Sequence, residues 1–197
     1  MGLRISSPLL PIEDLEVLSA STKLSKEQII SLYKRFQRLD KDGSGTLSQQ
    51  KLMNIPEFAM NPLAPRLVAI FQQAQANRQF PANSSDQIDF LTFARTLSQF
   101  SDTASQNDRL DLALRIIDCD CDSHVSIKDI FNILKLMVGD QVPDAELTPI
   151  SETLFSELVC KARGSKCDQS PLSKDEFFSI LLERPSLDLL ALPILHA

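Results

Sequence analysis

Tryptophan is missing from this chain of 197 residues, tyrosine occurs once, and glycine occurs only five times. So little glycine disfavours a protein of many short strands and tight turns. Eleven phenylalanines within a 43% hydrophobic composition point instead to packed helices. Cysteine is also scarce. Cys119, Cys121, Cys160 and Cys167 lack the density of a disulfide scaffold, and no secretory segment opens the sequence, which predicts a reducing, cytoplasmic setting. Their spacing also departs from that of paired zinc knuckles. No apolar run approaches the roughly 20 residues needed to cross a bilayer. The stretch Leu187 to Leu195 is interrupted by Asp188 and Pro193. A net charge of -6 with no stripe of lysine or arginine excludes nucleic acid as a partner and favours a basic or amphipathic peptide. Catalytic signatures of the G-x-S-x-G, Walker A and H-E-x-x-H kinds are lacking too, so the chain reads as a binding protein and not an enzyme.

What is present begins at the N-terminus. Met1-Gly2-Leu3-Arg4-Ile5-Ser6 fits the pattern that exposes Gly2 for N-myristoylation. One such chain holds a protein to membranes only marginally, and Arg4 alone is no polybasic second signal, so peripheral attachment requires a membrane-bound partner.

A helix start is written at Leu24-Ser25-Lys26-Glu27-Gln28-Ile29. Ser25 stands as N-cap, Gln28 completes a capping box, and Leu24 faces Ile29. Ile29, Leu32, Tyr33, Phe36 and Leu39 then keep the spacing of one buried helical face. The chain continues into Asp40-Lys41-Asp42-Gly43-Ser44-Gly45-Thr46-Leu47-Ser48, which matches the first nine positions of the calcium loop of an EF-hand. In such a loop, oxygens at positions one, three, five, seven, nine and twelve converge on one cation. Glycine at position six allows the turn, and an aliphatic residue at position eight pairs with its counterpart in a neighbouring loop.

That aliphatic marker recurs as Leu47, Ile88, Val125 and Leu172, with Leu52, Phe93, Ile130 and Phe177 each five residues later. Four helix-loop-helix units follow, an all-α fold of four EF-hands paired into two lobes. Entering helices are predicted at Leu63 to Phe71, Leu110 to Ile117 and Ile150 to Val159, the last with Pro149 at its first position. Polar stretches from Gln72 to Gln87 and from Ser101 to Asn107 separate units. The organisation read from this is an N-terminal segment at 1–24, an N-lobe at 25–100, a C-lobe at 108–184 and an apolar tail at 185–197. The apolar stripes read chiefly as core. Four inward-facing hands also leave a groove for an amphipathic helix, which the tail either covers or leaves free by closing the C-lobe.

The loops differ in their ion ligands. The first carries Asp40, Asp42, Ser44 and Thr46 but ends in Lys51, whose ammonium repels a cation where a bidentate glutamate is needed. The second runs from Pro81 to Thr92 and keeps only Asp89. The third reads Asp118, Asp120, Asp122, His124 (through its carbonyl) and Asp129 at ligand positions, with Ser123 in place of the glycine. Asp129 is one methylene shorter than glutamate, which lowers calcium affinity and lets magnesium compete. The fourth has Ser165, Cys167, Gln169, Ser170 and Pro171, leaving Glu176 as a solvated helix charge. One calcium site at most is expected, in hand three.

With the hands placed, the chain resembles the calcineurin B homologous proteins, within the calcineurin B-like group. The likeness rests on Met1-Gly2, Leu32-Tyr33-Lys34-Arg35-Phe36, Ile55-Pro56-Glu57, Asn61-Pro62-Leu63, Leu134-Lys135-Leu136-Met137-Val138-Gly139 and the closing Ile194-Leu195. It implies a myristoylated regulatory subunit that clasps an amphipathic juxtamembrane helix of a membrane transporter such as a sodium/proton exchanger. In that family calcium occupies the third and fourth hands. The same stretches admit the regulatory B subunit of a calcineurin-type phosphatase, whose partner is a helix of the catalytic subunit. Phe100-Ser101-Asp102-Thr103-Ala104 is similar to the calcium- and integrin-binding adaptors. A pure calcium sensor or buffer is disfavoured by the ligands lost from three loops.

Overall fold

The computed structural model describes residues 10–77, 87–101, 103–164 and 170–183, and shows an all-α EF-hand fold. Gly2, the first half of the second loop, Ser165, Cys167 and Gln169 of the fourth, and the tail lie outside the described residues. Helix α1 (Ile12–Ser21) precedes the first hand and buries Leu18 in the N-terminal core. Hand one is α2 (Lys26–Leu39), strand β1 (Thr46–Ser48) and α3 (Gln49–Met53). A short helix, α4 (Pro56–Ala59), leads to hand two: α5 (Ala64–Ala76), β2 (Gln87–Asp89) and α6 (Phe90–Ser98). Hand three is α7 (Gln106–Ile117), β3 (His124–Val125) and α8 (Ile127–Val138). Hand four is α9 (Asp144–Arg163), β4 (Leu172–Ser173) and α10 (Lys174–Leu182).

Helix α2 starts where its capping box lies: Ser25 N donates to Gln28 Oε1 at 2.8 Å, and Gln28 N donates to Ser25 Oγ at 3.3 Å. Residue nine of each loop repeats the N-cap device, with Ser48, Asp89, Ser126 and Ser173 accepting from the amide three residues on. The strands pair antiparallel in the register set by the markers, Leu47 opposite Ile88 and Val125 opposite Leu172. All four side chains are fully buried, each stabilised by about 1.5–3 kcal/mol of apolar transfer. Pairing thus ties loop to loop and fixes the direction of the helices on either side.

One core cluster gathers α1 to α6, with Phe36, Phe71 and Phe93 at its centre. Phe36 meets Phe93 edge-on at 5.6 Å between ring centroids, and Phe71 stacks on Phe93 at 5.9 Å. A second gathers Leu114, Val125, Phe155, Val159, Leu172, Phe177 and Ile180. Helix α7 serves both: Leu112 and Ile116 enter the first cluster and Leu114 the second. Arg66 of α5 locks this junction. Its Nε donates to the Ile116 carbonyl at 3.0 Å, and Nη2 donates to the carbonyls of Arg115 (2.6 Å) and Asp118. These are carbonyls left open at the end of α7, where a cation is also favoured by the helix dipole. Arg115 reciprocates, donating Nη2 to the Ile70 carbonyl at 3.0 Å.

Three elements differ from the sequence-based expectation. Helix α5 extends through Gln72 to Ala76, because Gln75 is buried and its Oε1 accepts the Asp89 amide at 3.2 Å, making a polar residue part of the packing. Helix α9 begins at Asp144, not Pro149, which sits in its second turn. The early turn is held by Leu147, 2% exposed, and by Lys135 Nζ 2.7 Å from Asp144 Oδ1, which together outweigh the one backbone bond that the proline removes. Helix α8 is only partly core: of its twelve residues only Asp129 is buried, while Ile127 and Ile130 pack half-buried on the second cluster and Ile133 on the first.

Candidate functional site

In hand one, Asp40 Oδ2 accepts the Gly45 amide at 2.7 Å and Oδ1 accepts the Ser44 amide at 3.2 Å, so the first residue of the loop folds the backbone around itself. Gly43 and Gly45 take left-handed backbone angles, φ +65° and +74°, that glycine alone adopts without cost. Into this ring comes Lys51. Its Nζ lies 2.8 Å from Asp40 Oδ1, 2.6 Å from Asp42 Oδ1, 3.1 Å from Ser44 Oγ and 3.1 Å from the Thr46 carbonyl. The lysine does more than repel an ion: its ammonium takes the oxygens of positions one, three, five and seven. Partial burial pulls its pKa down, but the bonds to Asp40 and Asp42 more than offset this, leaving it above the ordinary lysine value. Asp42 is held well below the usual carboxylate range, chiefly by its bond from Lys51.

Hand three repeats the scaffold without a cationic side chain at position twelve. Asp118 Oδ2 accepts the Ser123 amide at 2.9 Å and Oδ1 the Asp122 amide at 3.2 Å, much as Asp40 does in hand one. Cys121 and Ser123 occupy the backbone places of the two glycines, at φ 63° and 65°. An L side chain in that region costs roughly 1 kcal/mol. Asp118, Asp120 and Asp129 offer carboxylate oxygens all within 4.8 Å of one another. Desolvation and the neighbouring carboxylates of Asp129, Asp122 and Asp118 push Asp120 above its ordinary pKa, as expected of crowded acids.

The Asp122 carboxylate and the His124 ring lie outside that group. Asp122 Oδ1 accepts the His124 amide at 2.8 Å, and the exposed His124 ring places Nδ1 2.9 Å from the Asp122 carbonyl. Asp129, 1% exposed, shares its oxygens with the protein: Oδ1 accepts the Cys119 amide at 2.9 Å, and Oδ2 accepts Ser126 N at 2.9 Å and Oγ at 2.5 Å. The shorter carboxylate thus closes the loop and caps α8. Burial raises the Cys119 thiol, making it a poor nucleophile.

Hand four corrects the reading of Glu176 as a solvated charge. Arg163, at the end of α9, donates Nε to Glu176 Oε1 at 2.6 Å and Nη2 to Oε2 at 2.9 Å. The same guanidinium reaches Ser170 Oγ at 2.6 Å and the Pro171 carbonyl, position seven of the loop, at 3.0 Å. Glu176 is lowered to about 2, first by Arg163 and then by Ser173 N and Oγ. Sequence reasoning missed both cations as loop occupants. The available signal was a basic residue at position twelve in hand one, and for hand four only a basic residue just before the loop.

The surface carries one further feature. Phe131, Leu134, Leu136 and Val138 of α8 are only partly buried and Met137 is 51% exposed, and none of the five packs on either core cluster. Ile150 and Leu154 of the adjoining α9 are exposed as well. Single exposed apolar residues mean little; these stand on two helices that pack on each other.

Paired loops, position-nine caps and marker register define a four-hand EF-hand protein. No family model matches the chain. It is 35% identical over 173 residues to the type 1 calcineurin B subunit of Dictyostelium discoideum, covering 88% of each chain. To the calcineurin B subunit of Naegleria gruberi it is 34% identical over 157 residues, covering 80% of this chain and 82% of that one. To that of Yarrowia lipolytica it is 35% identical over 143 residues, covering 73% and 78%. The chain belongs to the calcineurin B family, a family of calcium-binding EF-hand proteins that are regulatory and not catalytic.

Proposed function

We propose that the chain is the regulatory B subunit of a calcineurin-type phosphatase, receiving an amphipathic helix of the catalytic subunit along α8 and α9. The observation that carries this is the apolar helix α8 with no buried apolar residue. Helix-in-groove recognition needs such a face, and the relatives are named as B subunits of calcineurin. The acidic residues Asp140, Asp144 and Glu146 at its rim suit a partner helix with basic flanks.

Calcium enters the same reading at hand three. Asp118, Asp120 and Asp129 supply hard oxygen donors of the type calcium prefers, and would hold the ion with the His124 carbonyl and Asp122 completing the loop. A bound divalent ion would neutralise crowded carboxylates and stiffen the entry to α8. The chain's own residues already set the frame, since Asp118 and Asp129 fix both ends of the loop through bonds to backbone amides. Gly2 acylation, with peripheral membrane attachment, belongs to this proposal as a second anchor.

A calorimetric titration tests it. The chain is titrated with a helical peptide from a calcineurin catalytic subunit and with an exchanger juxtamembrane peptide, each in calcium and in chelator. Tight binding of the first alone supports the proposal. Binding of the exchanger peptide alone overturns it in favour of a transporter-regulating role, and binding of neither sinks both and leaves the adaptor reading.

A further inference from the structure

We propose that Lys51 is a built-in cation that occupies the ion position of hand one, holding that hand in an arrangement that calcium neither creates nor removes. The loop behaves in this way whichever partner the chain binds.

The geometry in hand one is specific. A lysine that merely sat near acidic groups would pair with a carboxylate at the surface. Here one nitrogen meets four oxygens between 2.6 and 3.1 Å, drawn from positions one, three, five and seven, the last through the backbone carbonyl of Thr46 as in calcium ligation. The Nζ reaches them from position twelve, where a glutamate would otherwise bring two oxygens to an ion. Charge balance agrees. Asp40 and Asp42 around one ammonium leave a single net negative charge, the same charge that three carboxylates around a calcium ion would leave. The backbone around the ammonium is ordered as a closed loop: Gly43 and Gly45 turn left-handed, and β1 pairs with β2 through all three residues.

Hand four carries a cation, Arg163, at a related place, on the helix before its loop. Its position-twelve residue is retained, and both oxygens of Glu176 are engaged by the guanidinium in the two-pronged manner that a calcium ion would meet. The Pro171 carbonyl of position seven completes the resemblance at 3.0 Å. Pairing of β3 with β4 joins this hand to loop three, where, alone among the described residues, three carboxylates stand within reach of one ion.

The experiment uses the full chain and calcium alone. Backbone amide spectra are recorded in chelator and in calcium up to about 1 mM, the upper end of the EF-hand range. For the unmodified protein, the Gly45 and Ile88 amides are expected to stay in place. Lys51→Glu is expected to gain one calcium in calorimetry relative to the unmodified chain, with the Gly45 amide moving on titration. Lys51→Met is expected to gain none. Movement of Gly45 by calcium in the unmodified chain overturns the proposal, because the ion then displaces the ammonium. So does a folded Lys51→Glu variant that gains no calcium. Should that variant not fold, the spectrum of the unmodified chain decides alone.

Discussion

Arg163 and Glu176 face each other as a two-pronged pair, Nε to Oε1 at 2.6 Å and Nη2 to Oε2 at 2.9 Å, across the mouth of the fourth loop. The pair is 19% and 30% exposed at its two side chains, so water screens it and its contribution is about 1 kcal/mol. Arg163→Met is expected to lower the thermal midpoint by about 2–4 °C. The pH dependence has a definite sign. Glu176 is lowered from 4.5 to about 2, so its stabilisation is complete above 4.5 and is lost as pH falls toward 2. Urea midpoints at pH 7 and pH 3 should differ less in Arg163→Met than in the unmodified chain.

Ser123 occupies a left-handed backbone position at φ 65° where hand one has Gly45. Ser123→Gly removes that strain without touching a ligand. It is expected to stabilise the C-terminal half by about 1 kcal/mol, read from the denaturation midpoint. An unchanged or lower midpoint would show that the serine carries no such strain.

Arg66, 8% exposed, ties α5 to the last carbonyls of α7 and to Asp118, the first residue of loop three. Arg66→Met strands those acceptors, an expected loss of about 2 kcal/mol. Calorimetric unfolding should broaden or split as the two core clusters lose their link.

Met137 is half exposed and packs on neither core. Met137→Asp is expected to change stability by no more than about 0.5 kcal/mol. It should weaken binding of the catalytic-subunit helix by about tenfold or more, since an unpaired charge would then face an apolar helix.

Much of the architecture is legible in the sequence because the EF-hand repeats local rules. The markers Leu47, Ile88, Val125 and Leu172 give strand register, and Ser25 with Gln28 gives the start of α2. Helix α1 is not legible: Pro11 stands at its N-cap with no side-chain cap, and no loop follows it. Pro149 misleads because a proline tolerated in the second turn looks the same in sequence as one that opens a helix. The stripe Ile130, Leu134, Met137 has the spacing of a core face, yet only Ile130 packs on a core cluster, and periodicity cannot tell an interior from an exposed apolar face. In the loops, ligand counting registers the charge of Lys51 but not its reach. Arg163 escapes notice because it stands outside the twelve positions counted.

A role as the phosphatase's regulatory partner is tested most directly by mixing the purified chain with a full-length calcineurin-type catalytic subunit and measuring complex mass by light scattering, with phosphatase activity followed alongside. The expected result is a one-to-one complex whose activity exceeds that of the catalytic subunit alone. No complex, under conditions where an exchanger juxtamembrane helix binds, would contradict that role.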